Sequence, residues 1–281
     1  MVHILYNPKS NQNRGRIAAD RLAEQYENPD FTDITTISDF AAFFSRYDAG
    51  DTFVICGGDG TLNHFVNDTE GLELPEKLFF SGAGTGNDFL RDLGMADIPV
   101  PIGDYISRLP TVTVKGKYCK FVNGVGFGID GYCCEVGDRL RETTDKPINY
   151  AGIAVKGLLF RFKPVHAAVT VDGKTKDYNK VWLAPTMKGR YYGGGMMAAP
   201  AQDRTKPGKV SVLVMYGSGK LKTLTVFPSI FKGEHIHHTE MVDVREGHDI
   251  SVRFDRPCAL QIDGETVLGV TEYTVRTKDA K

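Results

Sequence analysis

The run Val54-Ile55-Cys56-Gly57-Gly58-Asp59-Gly60-Thr61-Leu62-Asn63 constrains this chain more than any other stretch. Apolar β-formers lead into three glycines and an aspartate, and Leu62, Phe65 and Val66 then recur at helical spacing, so the segment reads as strand, tight turn, helix. Glycines at such a corner let backbone N–H groups approach a phosphate with no Cβ in the way. The helix that follows presents its unpaired N–H groups and positive dipole end to the anion. Asp59, the one charged group in this cradle, suits holding Mg²⁺ or orienting a hydroxyl. The same residues also fit a plain strand-to-helix corner with Asp59 as N-cap.

What surrounds this corner repeats its pattern. Val2 to Tyr6 is a short apolar strand that stops at Asn7-Pro8, and Asn7-Pro8-Lys9-Ser10-Asn11 leads into a helix through Ile17, Ala18, Leu22 and Tyr26. A second strand (Phe31 to Thr36) and a second helix (Phe40 to Tyr47, capped by Ser38 or Asp39) precede the strand that enters Gly57. This βαβαβ order implies a parallel sheet with right-handed crossovers, and ligands of such sheets bind beyond the carboxyl ends of the strands. Both loops fall on that edge. A fourth unit runs from Lys77 to Ser81 into Gly82-Ala83-Gly84-Thr85-Gly86-Asn87-Asp88 and a short helix, Phe89 to Leu93. Thr85 can offer a hydroxyl there, and Asn87 and Asp88 can hydrogen-bond the turn or a ligand.

After Pro99-Val100-Pro101 the pattern changes to period-2 strands joined by tight turns such as Lys115-Gly116-Lys117 and Asp172-Gly173. Strands are expected at Val112 to Val114, Tyr118 to Asn123, Val165 to Val171, Tyr178 to Pro185, Val210 to Tyr216, Glu240 to Val244, Ile250 to Phe254, Ala259 to Ile262 and Thr271 to Arg276. The expected fold class is therefore α/β plus mainly-β. An N-terminal open parallel α/β domain (1–102) precedes a C-terminal antiparallel, β-sandwich-like domain (103–281). Two helices interrupt the second domain, Gly131 to Leu140 and Ile148 to Phe162. The latter is apolar over most of its circumference and basic at its end, which fits either a packed core helix or a lid that touches lipid or covers an acyl pocket.

A length of 281 residues suits two domains. The net charge of −1 supplies no positive excess to neutralise phosphates along a duplex, so no nucleic-acid partner is expected. Five cysteines, an odd number in a long chain, argue for a reducing compartment. The opening Met1-Val2-His3-Ile4-Leu5-Tyr6 lacks a basic region followed by an apolar run, and no stretch reaches the roughly 18 apolar residues of a membrane span. Cytoplasmic residence is the expectation. His235, His237 and His238 have no spaced Cys or acidic partner, and strand alternation would split them between faces, which argues against zinc. Lys188 and Arg190, before Tyr191 and Tyr192, read as a solvated loop or as a contact for phosphate or an anionic membrane surface. Trp182 reads as core or interface.

Taken together, Asn7-Pro8-Lys9-Ser10, Gly57 to Asn63, Gly84-Thr85-Gly86-Asn87-Asp88-Phe89, Asn123-Gly124-Val125-Gly126-Phe127-Gly128, Gly193-Gly194-Gly195-Met196 with Ala199-Pro200, and Asp263-Gly264-Glu265 form an ordered set spanning most of the chain. The set resembles the diacylglycerol kinase catalytic-domain family, which includes sphingosine kinases and bacterial soluble lipid kinases. The resemblance implies ATP-dependent, Mg²⁺-assisted phosphorylation of a lipid hydroxyl, on diacylglycerol or a related lipid of phospholipid biosynthesis, in a cleft between two domains. It implies nucleotide binding by Asn7, Lys9, Ser10, Gly57, Gly58, Asp59, Gly60, Thr61, Thr85, Asn87 and Asp88. Catalysis would fall to Glu265 as general base with Asp59, the latter also near the metal. It further implies transient contact with a membrane surface and a homodimer.

One segment departs from the family. Bacterial relatives commonly hold a structural Mg²⁺ on an acidic pair after Ala-Pro, whereas Asp203-Arg204-Thr205-Lys206-Pro207-Gly208-Lys209 puts lysine and proline there, so that site is not expected to persist and Lys206 is the candidate replacement charge. Asn11 likewise stands where relatives often have glycine. Two rival readings remain: an NAD-kinase-like small-molecule kinase, because the Gly-Gly-Asp-Gly-Thr turn also occurs there, and a non-catalytic lipid- or nucleotide-binding regulator.

Overall fold

The computed structural model describes residues 1–83, 87–96, 98–144 and 148–278. The chain divides into two compact units, Met1–Arg108 and Leu109–Lys281.

In the first unit the order is β1 (Val2–Tyr6), α1 (Ser10–Asn13), α2 (Gly15–Ala23), β2 (Asp30–Asp33), α3 (Phe40–Phe44), β3 (Thr52–Gly57), α4 (Asp59–Asp68), β4 (Leu78–Gly82), α5 (Asp88–Leu93), β5 (Val100–Pro101) and α6 (Gly103–Ile106). The sheet order is β2-β1-β3-β4-β5, parallel except for the β5 edge. Ile4, Leu5, Val54 and Ile55 are fully buried, as expected for central strands covered on both faces. Strand β2 stops sooner than the hydrophobic pattern suggests. The Asp33 carboxylate accepts from the Thr35 N–H and hydroxyl, folding Ile34–Thr36 into a 3₁₀ turn. Helix α3 is likewise short, and its cap is Asp39, which accepts from the Ala42 N–H.

The second unit contains β6 (Thr111–Val114), β7 (Lys117–Lys120), β8 (Gly124–Gly128), α7 (Ile129–Arg141), α8 (Tyr150–Lys156), β9 (Val165–Val171), β10 (Lys174–Val181), β11 (Leu183–Met187), β12 (Val210–Met215), α9 (Lys220–Val226), β13 (Val242–Gly247), β14 (Asp249–Ile262) and β15 (Glu265–Arg276). All pairings are antiparallel. The two strands expected at 250–254 and 259–262 are one long strand, β14. Its first half pairs with β9 and its second half with β8, while β15 follows both through register shifts between Arg253 and Leu260. Pro257, which has no N–H to give a ladder, sits in that irregular stretch. By changing partner midway, β14 joins two layers around a core that includes Phe127 stacked on Phe254, ring centroids 4.4 Å apart.

The helix expected over 148–162 is α8 followed by a π turn, Gly157–Arg161. Glycine permits its close approach to α7: a Cβ at Gly157 would lie 2.7 Å from the Tyr132 ring, and one at Gly137 2.7 Å from the Tyr150 ring. Ala154, Leu158 and Phe162 are buried, whereas Val155 and Phe160 are exposed, so this segment is neither wholly core nor wholly surface. Trp182 is core, with its indole N–H donating to the Ser218 carbonyl at 3.0 Å. His235 lies in a 3₁₀ turn, Glu234–His237, rather than a strand. Its buried ring meets the Ala198 carbonyl at 3.1 Å, and burial pulls its pKa down. Among the described residues no helix is long and apolar enough to cross a membrane.

Candidate active site

In the first unit, three loops at the carboxyl ends of the parallel strands are tied to one another. Asn7 leaves β1, and its side-chain amide donates to the Thr61 hydroxyl at 2.9 Å, where Ser10 Oγ also approaches at 3.2 Å. The Asn7 side-chain oxygen turns back to accept from the Lys9 N–H at 3.0 Å. Gly15 makes this loop compact, because a Cβ there would sit 1.8 Å from the Asn7 carbonyl oxygen.

The second glycine turn is fastened to the first at both of its described ends. The Ala83 N–H donates to the Gly57 carbonyl at 2.9 Å. Beyond the turn, the Asp59 carboxylate accepts the N–H groups of Asp88 at 2.8 Å and Phe89 at 3.1 Å, the first turn of α5. Asn87 caps the same helix through the Leu90 N–H at 2.9 Å. Thr85, with Gly84 and Gly86, lies outside the described residues. Asp59 is therefore not the N-cap of its own helix; Gly58 holds that position, and the Asp59 carboxylate serves the next helix.

The three glycines of the first corner have different reasons to be glycine. At Gly57 a Cβ would meet the Thr61 side chain at 2.5 Å, so packing excludes one. At Gly58 and Gly60 a Cβ would meet nothing within 4 Å, and Gly58 has φ −97° and ψ −177°, which any residue adopts. Neither backbone nor packing requires glycine at these two positions. The space they keep open lies at the first turn of α4, where the N–H groups of Asp59, Gly60 and Thr61 have no intrahelical acceptor. The Asn87 side-chain N–H₂ is also buried without a partner among the described residues. Donors without acceptors, an exposed Lys9 and room for a bulky group fit a phosphate. No group of three or more His, Cys, Asp or Glu side chains that could hold a metal occurs among the described residues.

The second unit builds a different constellation around Asp263-Gly264-Glu265. Asp263 and Gly264 have φ of +47° and +95°, the left-handed pair of a two-residue hairpin between β14 and β15. The Asp263 carboxylate accepts three consecutive N–H groups, those of Val122, Asn123 at 2.8 Å and Gly124 at 2.9 Å, which pins the hairpin to the start of β8. Arg204 grips the same segment from its carbonyl side, donating to Val122 O at 3.2 Å and Asn123 Oδ1 at 2.7 Å. Glu265, the first residue of β15, is exposed.

Below the hairpin, Gln261 links it to a buried carboxyl. Its side-chain oxygen accepts from the Gly264 N–H at 3.0 Å, and its N–H₂ reaches Asp130 Oδ2 at 3.5 Å. Burial pushes the Asp130 carboxyl up to about 6, against the Gly131 N–H and Gln261, which favour its charged form. The folded value is raised, so the native state binds an extra proton between about pH 4 and 6, and stability falls as pH rises through that window by about 3 kcal/mol at most. Asp130→Asn is expected to remove that slope, which thermal unfolding followed at pH 4.5 and 7.5 would read.

Sequence reasoning passed over Asp130, gave Arg204 no role within the 203–209 segment, and read Lys188 as a solvated loop residue or a contact for phosphate or an anionic membrane surface. Lys188 is buried rather than solvated, and its ammonium reaches the Lys206 carbonyl at 3.4 Å. Arg204, in a loop rich in turn-formers, is also buried. Lys206 pairs with Asp203 at 3.2 Å, and the Thr205 hydroxyl and N–H lead in holding the Asp203 carboxyl below its ordinary range. The second cation at this place, Arg204, has no sequence signature beyond the Gln202-to-Lys209 loop that carries it.

Residues 1–113 match the diacylglycerol kinase catalytic domain, and residues 123–278 match the YegS C-terminal NAD kinase beta sandwich-like domain. The chain belongs to the diacylglycerol kinase catalytic-domain family. A diacylglycerol kinase of Mycobacterium tuberculosis (strain ATCC 25618 / H37Rv) is 27% identical over 204 residues, 69% of this chain; the match spans 64% of that protein, just under two thirds of its length. A diacylglycerol kinase of Bacillus subtilis (strain 168) is 23% identical over 284 residues, covering 94% of this chain and 89% of that one. The crystal structure of a diacylglycerol kinase from Bacillus anthracis str. Sterne shares the fold at a TM-score of 0.62 and 18% identity, over 98% of this chain and 93% of that one.

Proposed function

We propose that this chain is an ATP-dependent kinase that phosphorylates a hydroxyl of diacylglycerol or a related lipid. The observation that carries the reading is the pair Gly58 and Gly60: glycines that the fold does not need, at a helix N-terminus whose N–H groups lack acceptors. A nucleotide's phosphates are the group for which such space is kept. Lys9 and the N–H groups of Asp59, Gly60 and Thr61 would hold them, with the Asn87 amide and Thr85 on the second turn. Mg²⁺ bound with the nucleotide would offset charge on the transferred phosphoryl group, and Asp59 would be the acid to hold such an ion. Glu265 would accept the proton of the lipid hydroxyl as its oxygen bonds to the γ-phosphorus and the bond to ADP breaks. The test is transfer of label from terminally labelled ATP to a panel of lipid alcohols in mixed micelles. Nucleotide binding with no labelled product from any lipid would sink the kinase reading.

The glycines give a sharper expectation. Gly60→Ala is expected to fold with unchanged or slightly raised stability, since alanine costs less conformational entropy, by about 0.5–1 kcal/mol within a helix; Gly58→Ala, at the N-cap of α4 where alanine is a poorer cap than glycine, is expected to fold with a loss of about 1 kcal/mol or less. Each is expected to weaken ATP binding at least about tenfold, a loss of about 1.4 kcal/mol. Gly57→Ala is expected to cost about 1–3 kcal/mol of stability by overpacking against Thr61. Calorimetric titration with ATP alongside thermal melts separates the two kinds of loss; normal ATP affinity in Gly60→Ala would remove the phosphate from this corner.

A further inference from the structure

Two segments of the second unit, 150–163 and 219–233, lie against each other. The Lys220 ammonium donates to the Leu159 carbonyl at 2.9 Å, fastening the start of α9 to the π turn after α8. Their inner faces are spent on the core: Ala154, Leu158, Phe162, Val226, Phe227 and Ile230 are all buried. The outer faces are unusual in two respects. Among the described residues, five of the thirteen large exposed apolar side chains fall on these 29 residues, led by Phe160 at 75% and Leu221 at 77% exposure. The same segments carry six basic residues (Lys156, Arg161, Lys163, Lys220, Lys222, Lys232) and no acidic one, in a chain with 34 basic and 35 acidic residues. One acid from outside, Glu240, pairs with Lys222 at 2.8 Å.

We infer that this face is where the protein docks on a bilayer rich in anionic phospholipid, inserting Phe160 and Leu221 between headgroups while the surrounding lysines and arginine meet lipid phosphates. Apolar side chains with two or three methylenes' or a ring's depth, ringed by basic groups, suit the boundary between headgroups and acyl chains. An apolar protein partner would satisfy Phe160 and Leu221 but would leave the charge bias unexplained; the anionic surface accounts for both. The inference deepens the lipid-kinase reading and rests on it, because it is a bilayer-resident substrate that makes such docking useful. Lys220 is left out of the contacting set used below, since its ammonium already serves Leu159.

The experiment is flotation of the full chain, without ATP, on vesicles of phosphatidylcholine alone and of phosphatidylcholine with phosphatidylglycerol. Binding is expected to be at least about tenfold stronger to the anionic vesicles. Phe160→Ser with Leu221→Ser is expected to lower it by about tenfold or more, and Lys156→Gln with Arg161→Gln to remove most of the preference for phosphatidylglycerol. Both double variants should keep the wild-type melting temperature and phosphorylate a short-chain, water-soluble diacylglycerol at the wild-type rate. Equal flotation of the wild type and the Phe160/Leu221 variant overturns the inference, as does absence of wild-type flotation. So would a wild-type dimer that the Phe160/Leu221 variant converts to monomer without lipid, which would assign the face to a second copy. Failure of the kinase reading is recognised separately, by flotation that persists while no phosphate reaches even the water-soluble lipid.

Discussion

Replacement of Glu265 by glutamine is expected to lower turnover by about 10²- to 10⁴-fold, the range lost when a positioned general base is removed, while the fold survives. The structure explains why the two effects separate. Glu265 is exposed at the first position of β15, and its hairpin is held by its neighbour: the Asp263 carboxylate takes the three N–H groups, and Gln261 takes the N–H of Gly264. Glutamine keeps the length and one acceptor oxygen of this exposed side chain, so the substitution costs about 0.5 kcal/mol or less. Asp263→Ala is the informative contrast. It leaves three N–H groups without their carboxylate, so about 2–4 kcal/mol of stability should go with the activity. Single-turnover phosphate transfer, measured beside thermal melts of both variants, checks the pair. Turnover near wild type in Glu265→Gln would remove this carboxylate from the chemistry.

The legible parts of the fold are those where local chemistry and global packing ask for the same residue. Val54 and Ile55 entering Gly57 had to be a buried strand meeting a corner, and Lys115-Gly116, Asp172-Gly173 and Asp263-Gly264 had to be two-residue hairpins, since each pair adopts positive φ at both positions. Less legible were elements decided by one side chain reaching beyond its own segment. Asp33 ends β2 by hydrogen-bonding Thr35, and Pro257 lies inside β14 rather than between two strands because the ladder shifts register around it. The loops of the candidate site were found through their glycines and turn residues. Arg204 and Lys188 were not, since composition reads charged residues in loops as solvated, and only the folded chain shows the carbonyls of Val122 and Lys206 waiting for them. Asp130 escaped for a similar reason: a lone acid in Gly128-Ile129-Asp130-Gly131 meets the neighbouring Gly131 N–H in its own stretch, while its link to the hairpin runs through Gln261, 131 residues away.

Asp59 supplies the second large effect, and here the geometry changes what a substitution should do. If Asp59 acted only on a metal ion, Asp59→Asn would lower activity and leave the protein without nucleotide as stable as before. The carboxylate instead accepts two N–H groups of α5, Asp88 at 2.8 Å and Phe89 at 3.1 Å, one on each oxygen. An asparagine offers one acceptor and turns an N–H₂ toward the other donor, so one of the two hydrogen bonds becomes a donor–donor contact. Bonds from N–H groups to a carboxylate at a helix N-terminus are stronger than neutral ones. The loss should be about 1–3 kcal/mol, a fall of several degrees in melting temperature, visible in metal-free buffer without ATP. Asp59→Ala, which removes both acceptors without adding a donor, should lose a similar amount. The α5 end of the second glycine turn thus loses one Asp59 hydrogen bond in Asp59→Asn and both in Asp59→Ala, while the Ala83 N–H still meets the Gly57 carbonyl at its other described end. ATP affinity is therefore expected to drop together with turnover, at least about 100-fold in kcat/KM, or about 3 kcal/mol. Unchanged melting of Asp59→Asn in metal-free buffer would show that the carboxylate does not organise this corner, and would return it to the simpler role of a metal ligand.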